Sequence, residues 1–261
     1  MVRPRFLKSK PLVEAILEVQ WALEPGPEPE IKRDPHYKFL LGTLFESVKN
    51  EYPYHEELPA AHVPDELTPH VVHHRFRAKP GGWPLLQVGP GVFTVNETEA
   101  YAWENFERWI NEAIPKLVTA HPQPDALKFQ KVMLRFINAV VLDFAAVNVL
   151  QFLAEKMKTR ISLPQSIFEA GTVSDHPIEI TNQLVFPSTK PPGLLLFKFN
   201  SGKRHANPAL IFEIWFVSRG QQIPQMPEGF RDWANAAHAL IERSFFQLIE
   251  GELEKEFSGH A

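Results

Sequence analysis

His238 and Glu242 lie four residues apart in a segment whose apolar residues recur at helical spacing, so an imidazole and a carboxylate can meet on one helix face. Such a couple can serve as a base and the group that orients it. The sequence supplies no nucleophile or oxyanion loop to go with it, and a hydrogen-bonded helix pair satisfies the same spacing. Histidines gather a second time at His70, His73 and His74, with His55 and His62 upstream. A zinc site needs several converging ligands, whereas neighbours in an extended segment point to opposite faces. Exposed or capping histidines are therefore expected, and no residue is named as a metal ligand. Gly81-Gly82 and Gly89-Pro90-Gly91 match no phosphate loop, dinucleotide fingerprint or Gly-x-Ser-x-Gly elbow. Turns are expected at both, and no cofactor is implied.

A further set of polar residues is laid out by alternation. In Leu12 to Trp21, Val13, Ala15, Leu17, Val19 and Trp21 fall on one side of an extended chain. Glu14, Glu18 and Gln20 fall on the other, with Leu12 and Ile16. Period two marks a half-buried strand. In Leu127 to Leu142, Val132, Leu134 and Phe136 alternate against Met133, Arg135 and Ile137. With phases aligned, Glu14, Glu18, Gln20, Arg135, Lys198, Glu213 and Trp215 share one sheet face, and Gln87, Glu179, Thr181 and Gln183 are further candidates. Arg135 would then pair with Glu14 or Glu18 across neighbouring strands. A solvated face with weak ion pairs is the plain alternative. Ile16, Met133, Ile137 and Trp215 make the face more apolar than open solvent favours, which points to a ligand or partner groove.

The elements that must position these groups follow from composition and punctuation. The chain has 261 residues, 44% of them hydrophobic, with 20 Phe and 6 Trp, enough for a large core. There is no cysteine, which excludes disulfides, thiolate metal sites and cysteine nucleophiles. The net charge of −4 lacks the basic surplus of a general nucleic-acid binder. Arg3, Arg5, Lys8 and Lys10 could form a local basic arm, but a solvated terminus explains them as well. Residues 1–10 carry no apolar run of leader length, and no long apolar stretch occurs, so neither a leader nor a membrane span is expected. The expected location is cytoplasmic.

Asp34-Pro35 reads as a helix start followed by Tyr37, Leu40, Leu41, Leu44, Phe45 and Val48 at helical spacing. Residues 53–70 hold four prolines and read as a long loop. Val71 to Ala78 is a candidate strand, and Pro84 to Asn96 is a hairpin about Gly89-Pro90-Gly91. Asn96 or Thr98 should cap a helix carrying Trp103, Phe106, Ile110, Ala113 and Leu117, with a kink or end at Pro115. Val147 to Met157 suggests a short helix. Strands are expected at Ile178 to Phe186, Leu194 to Asn200 and Leu210 to Val217, and one long helix from about Pro227 to Phe257.

Several segments resemble a family of bacterial proteins of about this length, sporadically distributed and without an established activity. The matching pieces are Pro11 to Ile16, Leu86 to Asn96, Tyr101 with Trp103, Leu134 to Asn138, and Ala237-His238 with Glu242 and Phe246. They span nearly the whole chain and are structural in type. The resemblance implies a shared fold and brings no catalytic residues. Its patchy occurrence resembles that of accessory or defence-associated genes.

The expectation is a single α+β domain over 1–261, with possible pseudo-halves 11–125 and 126–257. An antiparallel or mixed sheet of about seven strands should carry long helices on one face, possibly as two strand-helix-strand-strand halves. Its expected role is a non-catalytic ligand- or protein-binding module using the partly polar sheet face. Arg135, Glu14, Glu18, Trp215, His238 and Glu242 are the candidate contacts, and the partner is an unidentified protein or small ligand. The competing reading is a metal-independent RNA-processing enzyme with a histidine acid/base, which a basic groove beside a histidine would favour. A subunit of a larger assembly is a third reading, with the exposed apolar residues as its interface.

Overall fold

Strand β1 (Leu12–Trp21) forms where the alternation places it, and the strands on either side of it set the architecture. The computed structural model describes residues 7–26, 28, 30–98, 101–169 and 171–259. After β1 comes a two-residue pair, β2 (Glu24–Pro25) and β3 (Lys32–Arg33), then helix α1 (Tyr37–Val48). Strands β4 (Tyr54–Glu57), β5 (His74–Arg77), β6 (Leu85–Gly89) and β7 (Val92–Glu97) lead to helix α2 (Trp103–Ala120). The second half repeats the pattern with β8 (Phe129–Val141), α3 (Val149–Lys156), β9 (Thr181–Thr189), β10 (Pro192–Arg204) and β11 (Asn207–Arg219). Helices α4 (Phe230–Ile249) and α5 (Glu252–Ser258) close it. No helix among the described residues is long and apolar enough to cross a membrane. Arg3 and Arg5 of the basic terminal segment lie outside the described residues.

The fold is α+β, with one antiparallel sheet of nine strands in the order β4-β5-β6-β7-β1-β8-β11-β10-β9. The expected number was about seven. The strand that the sequence reading lacked is β4, which lies in the proline-rich stretch read as loop. The order runs outward in the same sense on either side of the β1–β8 pair, with five strands in the first half and four in the second. Each half places its first strand at the centre and its last beside it, then steps outward to the edge. β1 and β8 are antiparallel, with Ile16 opposite Arg135 and Leu17 opposite Leu134.

Alternation then divides the sheet into two faces. Leu17, Val19, Val95, Leu134, Phe136, Ile214 and Phe216 form one core with α1, α2 and α4. On the same face, Phe199, Leu210 and Phe212 form a second core with α3, α5 and the end of α4. One residue departs from the predicted phase. Val13 was expected on the dry side but is 38% exposed, and the register to β8 shifts between Leu12 and Glu14. A bulge at Val13 turns it outward and lets Leu12 pack on the core instead.

Asp34 ties three elements together. It accepts the Trp21 indole N–H at 2.9 Å, the Gly91 N–H at 3.0 Å and the His36 N–H at 3.0 Å. Gly91 sits at φ 74° in the β6–β7 turn, a region that favours glycine. The Asp34 carboxylate thus links the end of β1, the hairpin and the start of α1, although the cap position itself belongs to His36.

Several local expectations are corrected. Helix α2 runs through Pro115 to Ala120, because the helix tolerates the missing N–H where its stripe Phe106, Ile110, Ala113, Ile114 and Leu117 is buried. Its cap position is Ala102; Asn96 belongs to β7. The expected final helix is two, separated at Gly251, whose φ of 114° no helix accommodates. The β10–β11 turn falls at His205-Ala206, so β10 runs past the expected end at Asn200 and β11 starts before Leu210. β9 starts at Thr181, later than Ile178, and is an outer strand with Leu184, Val185 and Phe186 exposed.

The bulge has a measurable consequence. In urea unfolding, Leu17→Ala should cost about 3 kcal/mol, as expected for a buried leucine, whereas Val13→Ala should stay within about 0.5 kcal/mol. Equal losses would contradict the bulged register.

Candidate functional site

The candidate residues divide between opposite sides of the sheet. Glu14, Glu18, Arg135 and Trp215 lie on the face away from α1, α2 and α4, while His238 and Glu242 lie on α4.

On the open face, the polar groups are bonded to one another. Arg135 does not reach Glu14 or Glu18. Its Nε donates to Glu213 Oε2 at 2.7 Å and its Nη2 stands 2.5 Å from the same oxygen. Its guanidinium lies 4.6 Å from the centre of the Trp215 ring, a cation–π contact between directly paired residues. Arg135 turns toward β11 because Glu213 is buried, at 5% exposure, and needs a counter-charge there. Glu18 instead accepts from Lys131 at 2.7 Å and from Gln20 at 2.8 Å. Glu14 accepts from Asn96 at 2.7 Å. Asn96 accepts from Thr94 and Gln87, Gln87 accepts from Arg75, and Arg75 reaches Glu56, so the chain of polar contacts crosses from β1 to β4. Met133, Leu196 and Val217 form a small apolar patch beside it, with Trp215 and Leu194 packed on top.

The surroundings of His238 are different. A cavity of about 430 Å³ opens between the start of β1, the start of α2, β8 and α4. Its walls are mainly apolar: Leu12, Phe136, Ile214, Ile241, Phe245 and Phe246. Tyr101, Asn138 and His238 are among its other lining residues, with Lys10, Glu104 and Glu242. The Tyr101 hydroxyl is buried with no hydrogen-bond partner among the described residues. Burial first, then the nearby Glu242 and Glu104, push its ionisation well above the ordinary tyrosine range, so it is a neutral phenol.

His238 and Glu242 do not form the expected pair. The His238 ring stacks on Trp103 at 3.8 Å between centres and 4° between planes. Neither of its ring nitrogens has a hydrogen-bond partner among the described residues. Burial lowers its pKa to about 4 against a smaller opposing pull from Glu107, so it is a neutral imidazole at neutral pH. Glu242 is shifted the other way, by partial burial and then by Glu104. Trp103 is held by a chain between the two helices: its indole N–H donates to Asn235 at 3.3 Å, Asn235 donates to Glu107 at 3.0 Å, and Arg231 donates to Glu107 at 3.1 Å. α2 and α4 therefore fix the ring on which His238 rests.

The upstream histidines occupy a second depression of about 490 Å³, lined by Tyr37, Asp65, His62, His73 and His74 among others. Their nitrogens are largely engaged with protein groups. His55 and His74 share a hydrogen bond at 2.8 Å, Thr68 and His73 share another at 2.8 Å, and Asp65 stands 3.7 Å from His73. His70 meets the Gly91 carbonyl at 3.0 Å. No group of three or more His, Asp or Glu among the described residues has a metal-holding arrangement.

Sequence reasoning missed Tyr101, Trp103 and Asn138 as site residues. All three lie in segments of the family resemblance, and Trp103 also on the stripe of α2, but no spacing rule reveals which side chains the packing of distant segments will bring to one cavity.

Two outcomes follow. His238 has a lower pKa folded than unfolded, so stability present above pH 6.5 falls as pH drops toward 4. His238→Phe, which keeps a ring on Trp103, should lose about 2 kcal/mol less than the parent between pH 7 and pH 4.5 in chemical unfolding; equal losses would refute the neutral buried imidazole. Arg135→Ala should destabilise by about 2–3 kcal/mol because it strands Glu213, and Arg135→Met with Glu213→Leu should recover most of that. A single-variant loss within about 0.5 kcal/mol would rule out the buried pair.

No protein-family model matches the chain, and no curated protein matches it. Among solved structures, Methanococcus jannaschii TBP is similar over 90% of this chain and 96% of that chain, at 12% identity and a TM-score of 0.21. The di-domain ARO/CYC StfQ from the steffimycin biosynthetic pathway is similar over 71% of this chain and 73% of that chain, at 12% identity and a TM-score of 0.22. At these TM-scores neither likeness bears on function.

Proposed function

We propose that this protein is a non-catalytic binding module that holds a small, largely apolar ligand in the cavity between β1, β8, α2 and α4. One contrast carries the reading. The carboxylates and arginine predicted on the open face have protein partners, whereas both nitrogens of His238, on the cavity wall, have none among the described residues. A polar group without a protein partner in a mainly apolar wall is one that a ligand can engage. A mainly apolar cavity with a few converging polar atoms and shifted titratable groups is the usual form of a small-ligand site.

Residues of the family resemblance support the same location. Leu12, Tyr101, Trp103, Asn138, His238 and Glu242 come from separate segments and line one cavity. The charge of the lining among the described residues favours binding over RNA processing, since it holds Glu104 and Glu242 against Lys10 and phosphate recognition calls for a basic excess. The association with accessory or defence functions rests on the resemblance alone.

The test uses N-phenyl-1-naphthylamine, an uncharged apolar fluorophore at neutral pH. It should bind the protein saturably at one site. Ala102→Trp, which adds bulk at a residue of the cavity lining, should weaken binding about tenfold or more, while Trp215→Ala on the open face should leave it unchanged. Binding insensitive to Ala102→Trp, or no saturable binding, would overturn the assignment.

A further inference from the structure

We infer that two copies of this chain form a two-fold dimer in which β9 of one pairs antiparallel with β9 of the other, so that two nine-stranded sheets continue into one. The contact uses no residue of the cavity lining and stands apart from the ligand reading.

The two edges of the sheet are built differently. β4 is four residues long and ends in Glu56 and Glu57; short, charged edges resist further pairing. β9 runs nine residues without a charged side chain, and all but Asn182 and Ser188 are exposed. Its backbone phase follows from one hydrogen bond. The Ser201 N–H donates to the Ile180 carbonyl at 2.9 Å, so Ile180 faces β10. The register between β9 and β10 is unbroken from Thr181 to Thr189. Backbone groups alternate in direction along an antiparallel strand, which turns those of Thr181, Gln183, Val185 and Thr189 outward. Pro187 falls in the same outward set, so its missing N–H takes no bond from the β9–β10 ladder. An edge with free donors and acceptors is a template for one more strand.

The apolar side chains point to the same place. Leu184 pairs with Phe197 and Phe186 with Leu195, and these pair in turn with Ile214 and Phe216 of the core. Leu184 and Phe186 thus carry the helix-bearing face out to the edge, where they remain 40% and 47% exposed. Val185, on the open face, is exposed as well. A strand added beside β9 would cover apolar side chains on both faces.

Symmetry and charge select a second copy as that strand. Two identical strands paired antiparallel are related by a two-fold axis, so the contact closes at two copies. With the axis at Leu184, this residue meets its counterpart, and Gln183 of each copy exchanges backbone hydrogen bonds with Val185 of the other. Pro187 then stands opposite Thr181, at the end of the ladder, and its missing donor leaves the central bonds intact. Glu179 and Lys190 flank β9, both exposed and without an ion-pair partner among the described residues. The antiparallel arrangement brings the Lys190 end of each copy to the Glu179 end of the other, so opposite charges meet at both ends.

Sedimentation equilibrium of the full chain at pH 7 tests the association, and a single thiol tests its place. The parent should be a dimer. Leu184→Glu, which sets two carboxylates against each other on the axis, should weaken the dimer about tenfold or more. Val185→Pro, which removes an outward N–H and leaves the β10 ladder whole, should act in the same direction, and it serves if Leu184→Glu fails to fold. The chain has no cysteine, and directly opposed residues of an antiparallel pair come close enough for a disulfide. Leu184→Cys should therefore give a covalent dimer on mild oxidation, whereas Phe39→Cys, exposed on α1, should not. A monomer at every concentration overturns the inference. A dimer indifferent to both Leu184→Glu and Val185→Pro, or one that crosslinks as readily through Phe39→Cys as through Leu184→Cys, overturns the placement at β9.

Discussion

The constraint on which the structure depends is the position of β1 between β7 and β8. Both edges of the strand are taken up by antiparallel ladders. Its side chains alternate, so a slip of one residue would turn Glu14 and Glu18 into the core and Leu17 and Val19 out of it. With that phase set, β7 and β8 must present Val95, Leu134 and Phe136 to the same side, and α1, α2 and α4 have one continuous apolar surface on which to pack. The Val13 bulge is the one adjustment. It lets Leu12 turn into the wall of the cavity at the point where the strand begins.

Polar groups settle differently on the two sides. On the open face they sit on adjacent strands, where directly opposed side chains come within hydrogen-bond reach. A run of contacts from Glu14 through Asn96, Gln87 and Arg75 to Glu56 satisfies one half, and Arg135 with Glu213 the other. On the helical side, polar atoms come from β8, α2, α4 and the segment before α2, whose separation is set by the bulk of the aromatic residues between them. The spacing there leaves the Tyr101 hydroxyl buried without a partner and the His238 ring on the cavity wall.

Rigidity at the cavity is supplied from outside it. Trp103, Asn235, Glu107 and Arg231 link α2 to α4 by consecutive hydrogen bonds. Trp233 on α4 donates to Ser218 of β11, which donates onward to the Pro192 carbonyl. The wall formed by α4 is thereby fastened to both the neighbouring helix and the sheet, and His238 is held against Trp103 by stacking rather than by a hydrogen bond. Burial without such a bond is what keeps the imidazole neutral.

Much of the local order was legible in the chain. Alternation in β1 and β8, the Gly89-Pro90-Gly91 turn and the helical stripes of α1, α2 and α4 are patterns of period two or 3.6 that arise from backbone geometry and need no distant partner. Short or interrupted elements were less legible: β4 was hidden among prolines, and Gly251 divided what the apolar spacing joined. The site was legible only as a set of residues. Arg135 was correctly placed on the polar face, yet its partner proved to be Glu213, because strand order determines which carboxylate lies beside it. His238 and Glu242 were correctly placed on one helix, yet what surrounds them comes from residues 7–12, 101–104 and 136–138. Periodicity reports which way a side chain faces; which distant groups it meets, and which buried hydroxyl is left without a partner, is decided when the elements pack.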